Sequence, residues 1–236
     1  ITCRDWSSDV CSSDLLTNPP FGGEEEAGIQ DNFPKDMRTS ETALLFLQLI
    51  MRKLRKTPKP GRAAVVVPNG TLFADGVAAR IKEQLLKEFD LHTIVRLPTG
   101  VFAPYTGIPT NLLFFDASGP THAIWYYEQP LPEGRNSYTK TKPLRFEEFA
   151  PLLAWWQARE ENDRAWKVPV EEVLRYADDG SLLSANLDRK NPNGVEEFEH
   201  RPPEELVAEI VAQERQILAL MEEIQAELKG ESNTSA

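Results

Sequence analysis

An uninterrupted run of small and β-branched apolar residues at positions 63–67 constrains the fold more than any other feature of this chain. The run lies between Gly61 and Pro68, so its length fits a strand better than a helix. A strand that is apolar at every position is typically buried on both faces, as in parallel sheets. Because parallel strands need long crossover connections, usually helices, the run predicts an α/β fold.

Apolar periodicity on either side of this run predicts the neighbouring elements. Spacings of three and four residues predict helices at 41–55 and 75–88, and β-branched or aromatic runs predict strands at 91–97, 111–115 and 123–127. A loop rich in Pro and Gly spans 98–110. This order of elements predicts helices that cover a mainly parallel sheet.

The remainder of the chain is less regular. Residues 129–138 have the composition of a loop, 146–159 predict a helix with Trp155 and Trp156 as packing anchors, and 178–195 are expected to be irregular. We therefore expect a leader, part of an α/β domain, a mixed extension, a long helix and a disordered tail, at residues 1–15, 16–128, 129–200, 201–230 and 231–236.

Residues 204–228 repeat apolar side chains at alternating spacings of three and four. That spacing is typical of a coiled-coil or bundle helix. The helix is expected either to bind a partner subunit or to pack against its own domain, and the pattern does not decide between the two.

The first fifteen residues have neither helical nor strand periodicity. Their sequence resembles a translated sequencing-adapter read-through, which predicts that residues 1–15 are not native. The alternative is a genuine disordered terminus.

Composition excludes several classes of protein. The chain of 236 residues has no apolar run long enough for a membrane span and no secretory signal, so a soluble cytoplasmic protein is expected. Both cysteines, Cys3 and Cys11, precede the patterned region, and the three histidines are scattered, so no metal site is predicted. The net charge of −11 argues against a module that grips DNA alone.

The string Asn18-Pro19-Pro20-Phe21 carries the chemistry that the sequence predicts. It follows apolar residues that would end a strand, at the sheet edge where α/β folds bind ligands. The Asn18 side-chain oxygen and the Pro19 carbonyl can accept two hydrogen bonds from one amine, and consecutive prolines stiffen the loop. Phe21 offers a flat face for a base that has left the duplex. A bare four-residue string is a weak signal, and an ordinary turn is the alternative.

Four stretches together resemble adenine-amino DNA methyltransferases, and most closely the modification subunits of type I restriction–modification systems. They are distributed along residues 16–192 and read TNPPFGG, GRAAVVVPNGTLF, IVRLPTGVFAPYTGIPTNLLFF and LDRKNP. The resemblance implies the C-terminal half of a partial Rossmann-like methyltransferase sheet with a helical extension. It also implies that Asn18, Pro19, Pro20 and Phe21 hold the target adenine, with Phe102 or Tyr105 touching the base unless both only pack within their loop.

The same resemblance implies S-adenosylmethionine as methyl donor, and double-stranded DNA, a specificity subunit and a restriction subunit as partners. In the family, the donor-binding Gly-rich loop precedes the Asn-Pro-Pro-Phe motif, and nothing before Asn18 matches it. The chain alone is therefore expected neither to bind the donor tightly nor to methylate DNA. The motif strand, central in the family, is expected to form an open edge.

Two other functions remain open. A glutamine methyltransferase of release factors has a similar motif but typically carries Tyr where this chain has Phe21, and it would not need the long C-terminal extension. A non-catalytic assembly module would bind a specificity subunit through the terminal helix. Asn69 and Gly70 are expected to form a simple turn, with a ligand cleft as the alternative. Arg62 and Arg96 are expected to pair with nearby carboxylates, with phosphate contacts as the alternative.

Overall fold

The run at 63–67 forms the middle of a strand, Arg62–Pro68, in a six-stranded sheet of the computed structural model. The structure describes residues 14–193 together with residues 207, 211, 213–215, 217, 218, 220 and 221. The chain forms two compact units, Ile1–Gly194 and Val195–Ala236. The predicted leader and tail lie almost wholly outside the described residues, although the first strand already begins at Asp14.

The main sheet has the strand order β1-β2-β4-β3-β5-β6. Its strands are β1 Asp14–Thr17, β2 Arg62–Pro68, β3 Asp90–Arg96, β4 Thr110–Asp116, β5 Ala123–Glu128 and β6 Ala165–Pro169. β1, β2, β3 and β5 run in one direction, whereas β4 and β6 run antiparallel to their neighbours. The predicted α/β fold with a mainly parallel sheet is confirmed, since four of these six strands share one direction. Among the strands that the structure describes, the motif strand β1 lies at one edge of the sheet.

Helices connect and cover these strands. They are α1 Ala27–Gln30, α2 Thr42–Lys53, α3 Asn69–Phe73, α4 Val77–Glu88, α5 Ala150–Gln157 and α6 Val170–Val173, with 3-10 turns at Lys35–Met37 and Phe146–Phe149. The larger core cluster joins the apolar sides of α2 and α4 to one face of the sheet. The smaller cluster includes Trp155, 7% exposed, which confirms its predicted role as a packing anchor.

β2 differs from its prediction on one face. Ala63, Val65 and Val67 are buried, but Ala64 and Val66 are only half-buried. The strand has its paired neighbours on both sides, whereas the helices α2 and α4 cover only one face near this edge. The continuous apolar run therefore predicted more cover than the structure provides.

The segment after residue 160 contains strands that the sequence patterns did not predict. β6 extends the main sheet by pairing with β5, and a separate hairpin joins β7, Leu174–Tyr176, to β8, Leu182–Ala185. β8 lies inside the stretch 178–195 that was expected to be irregular, and this expectation was wrong there. A strand this short carries too few residues for a recognisable alternation.

The predicted terminal helix at 204–228 falls mostly outside the described residues. Those described within it, from Val207 to Met221, are helical. Within the part of the chain that the structure describes, no helix has both the length and the apolar character needed to cross a membrane.

A buried lysine holds the end of α3. Lys82 of α4 is 1% exposed, and its Nζ donates hydrogen bonds to the carbonyls of Leu72 and Ala74, each at 2.8 Å. Burial lowers the pKa of Lys82 to about 8, while the negative charges of Asp75 and Glu41 act in the opposite direction. The lysine thus closes the last turn of α3 with donors that water cannot supply there.

Replacing Lys82 by methionine should remove a pH dependence of folding. Between the folded pKa of about 8 and the ordinary value of 10.5, the unfolded chain binds more protons, so this lysine makes unfolding less favourable as pH rises. From about pH 7.5 to about pH 9.5 the free energy of unfolding of the unsubstituted chain should gain about 2 kcal/mol relative to Lys82→Met. The prediction is tested by measuring the urea unfolding midpoints of the unsubstituted chain and of Lys82→Met across this pH range. Lys87→Met, on the exposed part of the same helix, is the control, and parallel pH profiles for the two variants would contradict the prediction.

Candidate active site

The Asn-Pro-Pro-Phe motif begins directly after β1, at the edge of the sheet where β2 and β3 also end. We call this edge the carboxyl rim and define it by Thr17, Pro68 and Arg96, the last residues of the three strands. β4 starts at the same rim, because Thr110 pairs with Pro68. The motif therefore lies where the sequence predicted it, at the carboxyl end of a strand, which is the kind of edge where open α/β sheets bind ligands.

The four motif residues differ in exposure, and their segment can offer hydrogen-bond acceptors from a rigid backbone. Asn18 and Pro20 are exposed, Pro19 is buried and Phe21 is half-buried. Neither proline has an amide hydrogen, so the segment offers acceptors without a competing backbone donor at those two positions. Asn18 is consequently exposed to solvent on a segment that the prolines stiffen. Phe21 belongs to neither of the two core clusters.

A second aromatic ring meets the motif from the loop between β3 and β4. The centroids of the Phe21 and Phe102 rings are 5.2 Å apart, with an interplanar angle of 78°. Such an edge-to-face pair is a favoured aromatic geometry. Tyr105, the other aromatic candidate, is 93% exposed. The structure thus brings Phe102 to the motif and leaves Tyr105 standing out into solvent.

The loop that carries Phe102 is fixed at its base. The Tyr138 amide donates to the Thr99 carbonyl at 3.1 Å, and the Leu97 amide donates to the Thr110 carbonyl at 3.0 Å. Tyr138 is 2% exposed, and its hydroxyl donates to the carboxylate of Glu148. Burial, together with the neighbouring Glu148 carboxylate, raises the pKa of Tyr138. The segment around Tyr138 therefore clamps the start of the loop, although the sequence marked that segment only as a connection.

Gly100 allows this clamp, and a side chain there should displace the loop. Gly100 has φ +78°, and an added Cβ would lie 2.2 Å from the Tyr138 carbonyl oxygen. We expect Gly100→Ala to lower the free energy of unfolding by more than about 1 kcal/mol. Gly134→Ala is a matched control, since Gly134 has φ +75° and no atom of the described part of the chain lies within 4 Å of its added Cβ. Equal losses in urea unfolding would show that backbone conformation alone matters and that the close approach does not.

The remaining candidates form internal pairs. Asn69 accepts a hydrogen bond from the side chain of Asn111, 1% exposed, at 3.1 Å. Arg62 pairs with Asp14 at 2.9 Å, and Arg96 pairs with Asp188 at 2.8 Å. The two arginines therefore have carboxylate partners, as expected from the sequence. Asn111 was missed as a rim residue, and the only signal for it was a polar residue at the head of an apolar strand.

The described residues are better suited to bind the nucleobase that receives a methyl group than to bind a methyl donor. In the family that the sequence resembles, the methyl donor is bound by a Gly-rich loop after the first strand and by an acidic residue after the second strand for the ribose. In residues 14–193 no Gly-x-Gly turn follows a strand. The acidic side chains Glu25 and Glu41 near the motif are engaged by Thr42 and Thr71. The described residues therefore do not fit a bound S-adenosyl donor.

Comparison with known proteins shows which family the chain is similar to. The model of the family described as N-6 DNA Methylase matches residues 4–182. The type I restriction enzyme EcoEI methylase subunit of Escherichia coli is 50% identical over 210 residues, which cover 86% of this chain and 41% of that protein. The EcoKI methylase subunit of Escherichia coli strain K12 is 38% identical over 147 residues, covering 58% of this chain and 26% of that protein.

A solved structure agrees with these matches. The modification subunit of a type I restriction enzyme from Vibrio vulnificus YJ016 is 62% identical, with a TM-score of 0.78, and the match covers 81% of this chain and 40% of that one. The chain thus spans about two fifths of the length of the first relatives it matches. Since the family model covers most of the chain, including the motif and the loop of Phe102, the chain belongs to the N-6 DNA Methylase family.

Proposed function

We propose that this chain supplies the target-base side of the catalytic centre in the modification subunit of a type I restriction–modification system. The reaction is transfer of a methyl group from S-adenosylmethionine to the N6 amine of adenine in DNA. The observation that carries the proposal is the position of Asn18 and Phe21 at the carboxyl rim, with Phe102 beside the Phe21 ring.

The chemistry of the motif suits an exocyclic amine. The amine of adenine is a weak nucleophile because its lone pair is delocalised into the ring. Two acceptors, the Asn18 side-chain oxygen and the Pro19 carbonyl, hold both amine hydrogens and favour a pyramidal nitrogen. Because the amine is paired in duplex DNA, the base must first be extruded, and an aromatic ring then holds it by stacking.

The partners follow from charge and from the named relatives. With a net charge of −11, the chain is a poor match for a phosphate backbone by itself, so other polypeptides supply much of the DNA contact. The relatives are named as methylase subunits of type I restriction enzymes. We therefore propose a specificity subunit and a restriction subunit as protein partners, double-stranded DNA as substrate, and the cytoplasm as location.

A graft into a relative tests the function directly. The 210 aligned residues of the Escherichia coli EcoEI methylase subunit are replaced by those of this chain, and the graft is purified with its specificity subunit. We expect transfer of labelled methyl groups to the N6 position of adenine in duplex DNA. Stable assembly without transfer would instead support a non-catalytic assembly module, and transfer to a glutamine side chain of a release factor would support the other enzyme.

A further inference from the structure

The loop that follows the motif is held by the first residue of α2. Thr42 is 2% exposed, and its backbone amide donates to the Gly23 carbonyl at 3.1 Å. Its hydroxyl donates to the Glu25 carboxylate at 3.1 Å. The Glu25 amide in turn donates to the Ser40 carbonyl at 2.8 Å. Three hydrogen bonds therefore tie the segment just after Phe21 to the start of one helix.

Gly23 approaches Thr42 so closely that a side chain would not fit between them. An added Cβ at Gly23 would lie 2.6 Å from the Thr42 Oγ1 atom. Real Cβ atoms do not approach a heavy atom so closely, so either the loop or the threonine would have to shift. The glycine is thus explained by contact with Thr42, since its φ is not in the left-handed region.

The helix behind Thr42 is a rigid base. α2 is buried along most of its length, including Leu44, Leu47 and Ile50, against the larger core cluster. Its N-terminus carries the positive end of the helix dipole, and Glu25 places a carboxylate there. The position of the post-motif loop is therefore set by the core and is not left to the loop itself.

The start of α2 also contacts α3, which lies next to the loop that carries Phe102. Glu41, the residue before Thr42, accepts a hydrogen bond from the Thr71 hydroxyl of α3 at 3.3 Å. At the start of α3, the Asn69 amide donates to the Pro109 carbonyl at 2.8 Å, at the end of the loop that carries Phe102. The start of α2 is thus hydrogen-bonded both to the loop after Phe21 and to α3, and α3 is hydrogen-bonded to the end of the loop that carries Phe102.

From this geometry we infer that Thr42 is a positioning residue for the target base, acting through Gly23 and Glu25 on the placement of Phe21 and Asn18. The inference rests on the proposed function. Catalysis of this kind depends on placing the reacting groups to within a fraction of an ångström, and a misplacement of about 1 Å costs roughly a hundredfold in rate. A smaller displacement of the loop should cost about tenfold in kcat.

The test compares Thr42→Val with Thr42→Ser. Valine keeps the volume and the backbone amide but removes the hydroxyl donor, and serine restores the donor. In the full chain, Thr42→Val should speed amide hydrogen exchange in residues 22–26 while leaving α4 unchanged, and serine should restore protection. In the EcoEI graft, valine should lower kcat about tenfold with little change in KM, and serine should recover most of it.

A second variant guards against simple misfolding. Glu25 is half-buried on the loop, and glutamine keeps its side-chain volume but is a weaker acceptor for the Thr42 hydroxyl. Glu25→Gln should therefore lower kcat, by less than Thr42→Val does. In both variants the emission of 2-aminopurine at the target position should change, since the stacking of the extruded base is altered.

The outcomes separate the two proposals. Unchanged exchange in residues 22–26, or faster exchange with unchanged kcat, would overturn the positioning role while the proposed function stands. Failure of serine to restore kcat would also overturn it. An unsubstituted graft that assembles but transfers no methyl groups would overturn the proposed function, and the positioning role would fall with it.

Discussion

Asn18→Ala in the EcoEI graft should lower methyl transfer by about 10²–10³-fold in kcat, as expected for losing one preorganised hydrogen-bonding group at a reacting centre. Asn18 is exposed at the carboxyl rim, and the two prolines that follow it stiffen its backbone. Removing its oxygen leaves the Pro19 carbonyl as the single acceptor of the motif for two amine hydrogens. Initial rates of labelled methyl transfer under saturating DNA and donor measure the effect.

The control for Asn18 is another exposed asparagine. Among the described residues, the Asn32 side chain bonds only to the carbonyls of Gly28 and Ile29 within its own turn, so Asn32→Ala should leave kcat within about twofold, as surface substitutions usually do. KM for DNA should change little in Asn18→Ala if the amide acts mainly in the transition state. A fall confined to KM, with kcat preserved, would show that Asn18 only binds the base and does not activate its amine.

Phe21→Ala should lower kcat/KM by the free energy of one stacked base, about 1–3 kcal/mol, which is roughly 5- to 150-fold. The ring of Phe21 is half-buried and meets the ring of Phe102, so its loss removes a stacking surface and loosens the second ring. Steady-state kinetics and 2-aminopurine emission at the target position should change together.

The contact between the two rings gives this prediction an internal check. Because Phe21 and Phe102 touch, their alanine substitutions should not add, and the double variant should lose less than the sum of the two single losses. Phe146→Ala is the matched control, since Phe146 is 73% exposed on a turn distant in sequence from the motif. Strict additivity of Phe21 and Phe102 would mean that the rings act separately, and an equal loss in Phe146→Ala would show a general effect on the fold.

Local sequence patterns were sufficient to place the motif and the main elements around it. Two consecutive prolines after Asn18 favour the end of a strand, because proline supplies no amide for a sheet and fixes its own backbone angle. The helices α2 and α4 were predicted to within a few residues, since their apolar spacing is long and regular. β8 was missed because its four residues lie in a stretch dominated by turn-forming residues.

Contacts between distant segments could not be read from the same patterns. Nothing near Gly100 in the sequence indicates that its backbone touches the Tyr138 carbonyl, and nothing near Gly23 indicates the close approach of Thr42. Both glycines would fit an ordinary loop equally well. Their constraint comes from a segment that folding brings against them.

The sequence by itself determined the chemical groups of the site and the sheet edge on which they lie, because strand ends, prolines and apolar periodicity are encoded over a few neighbouring residues. Only the tertiary structure decided that Phe102 meets Phe21, that Tyr105 does not pack, and that Thr42 holds the loop behind the motif. The physical reason is that side-chain contacts across a sheet rim depend on the packing of α2 and α3 against the core, and that packing is a property of the whole fold.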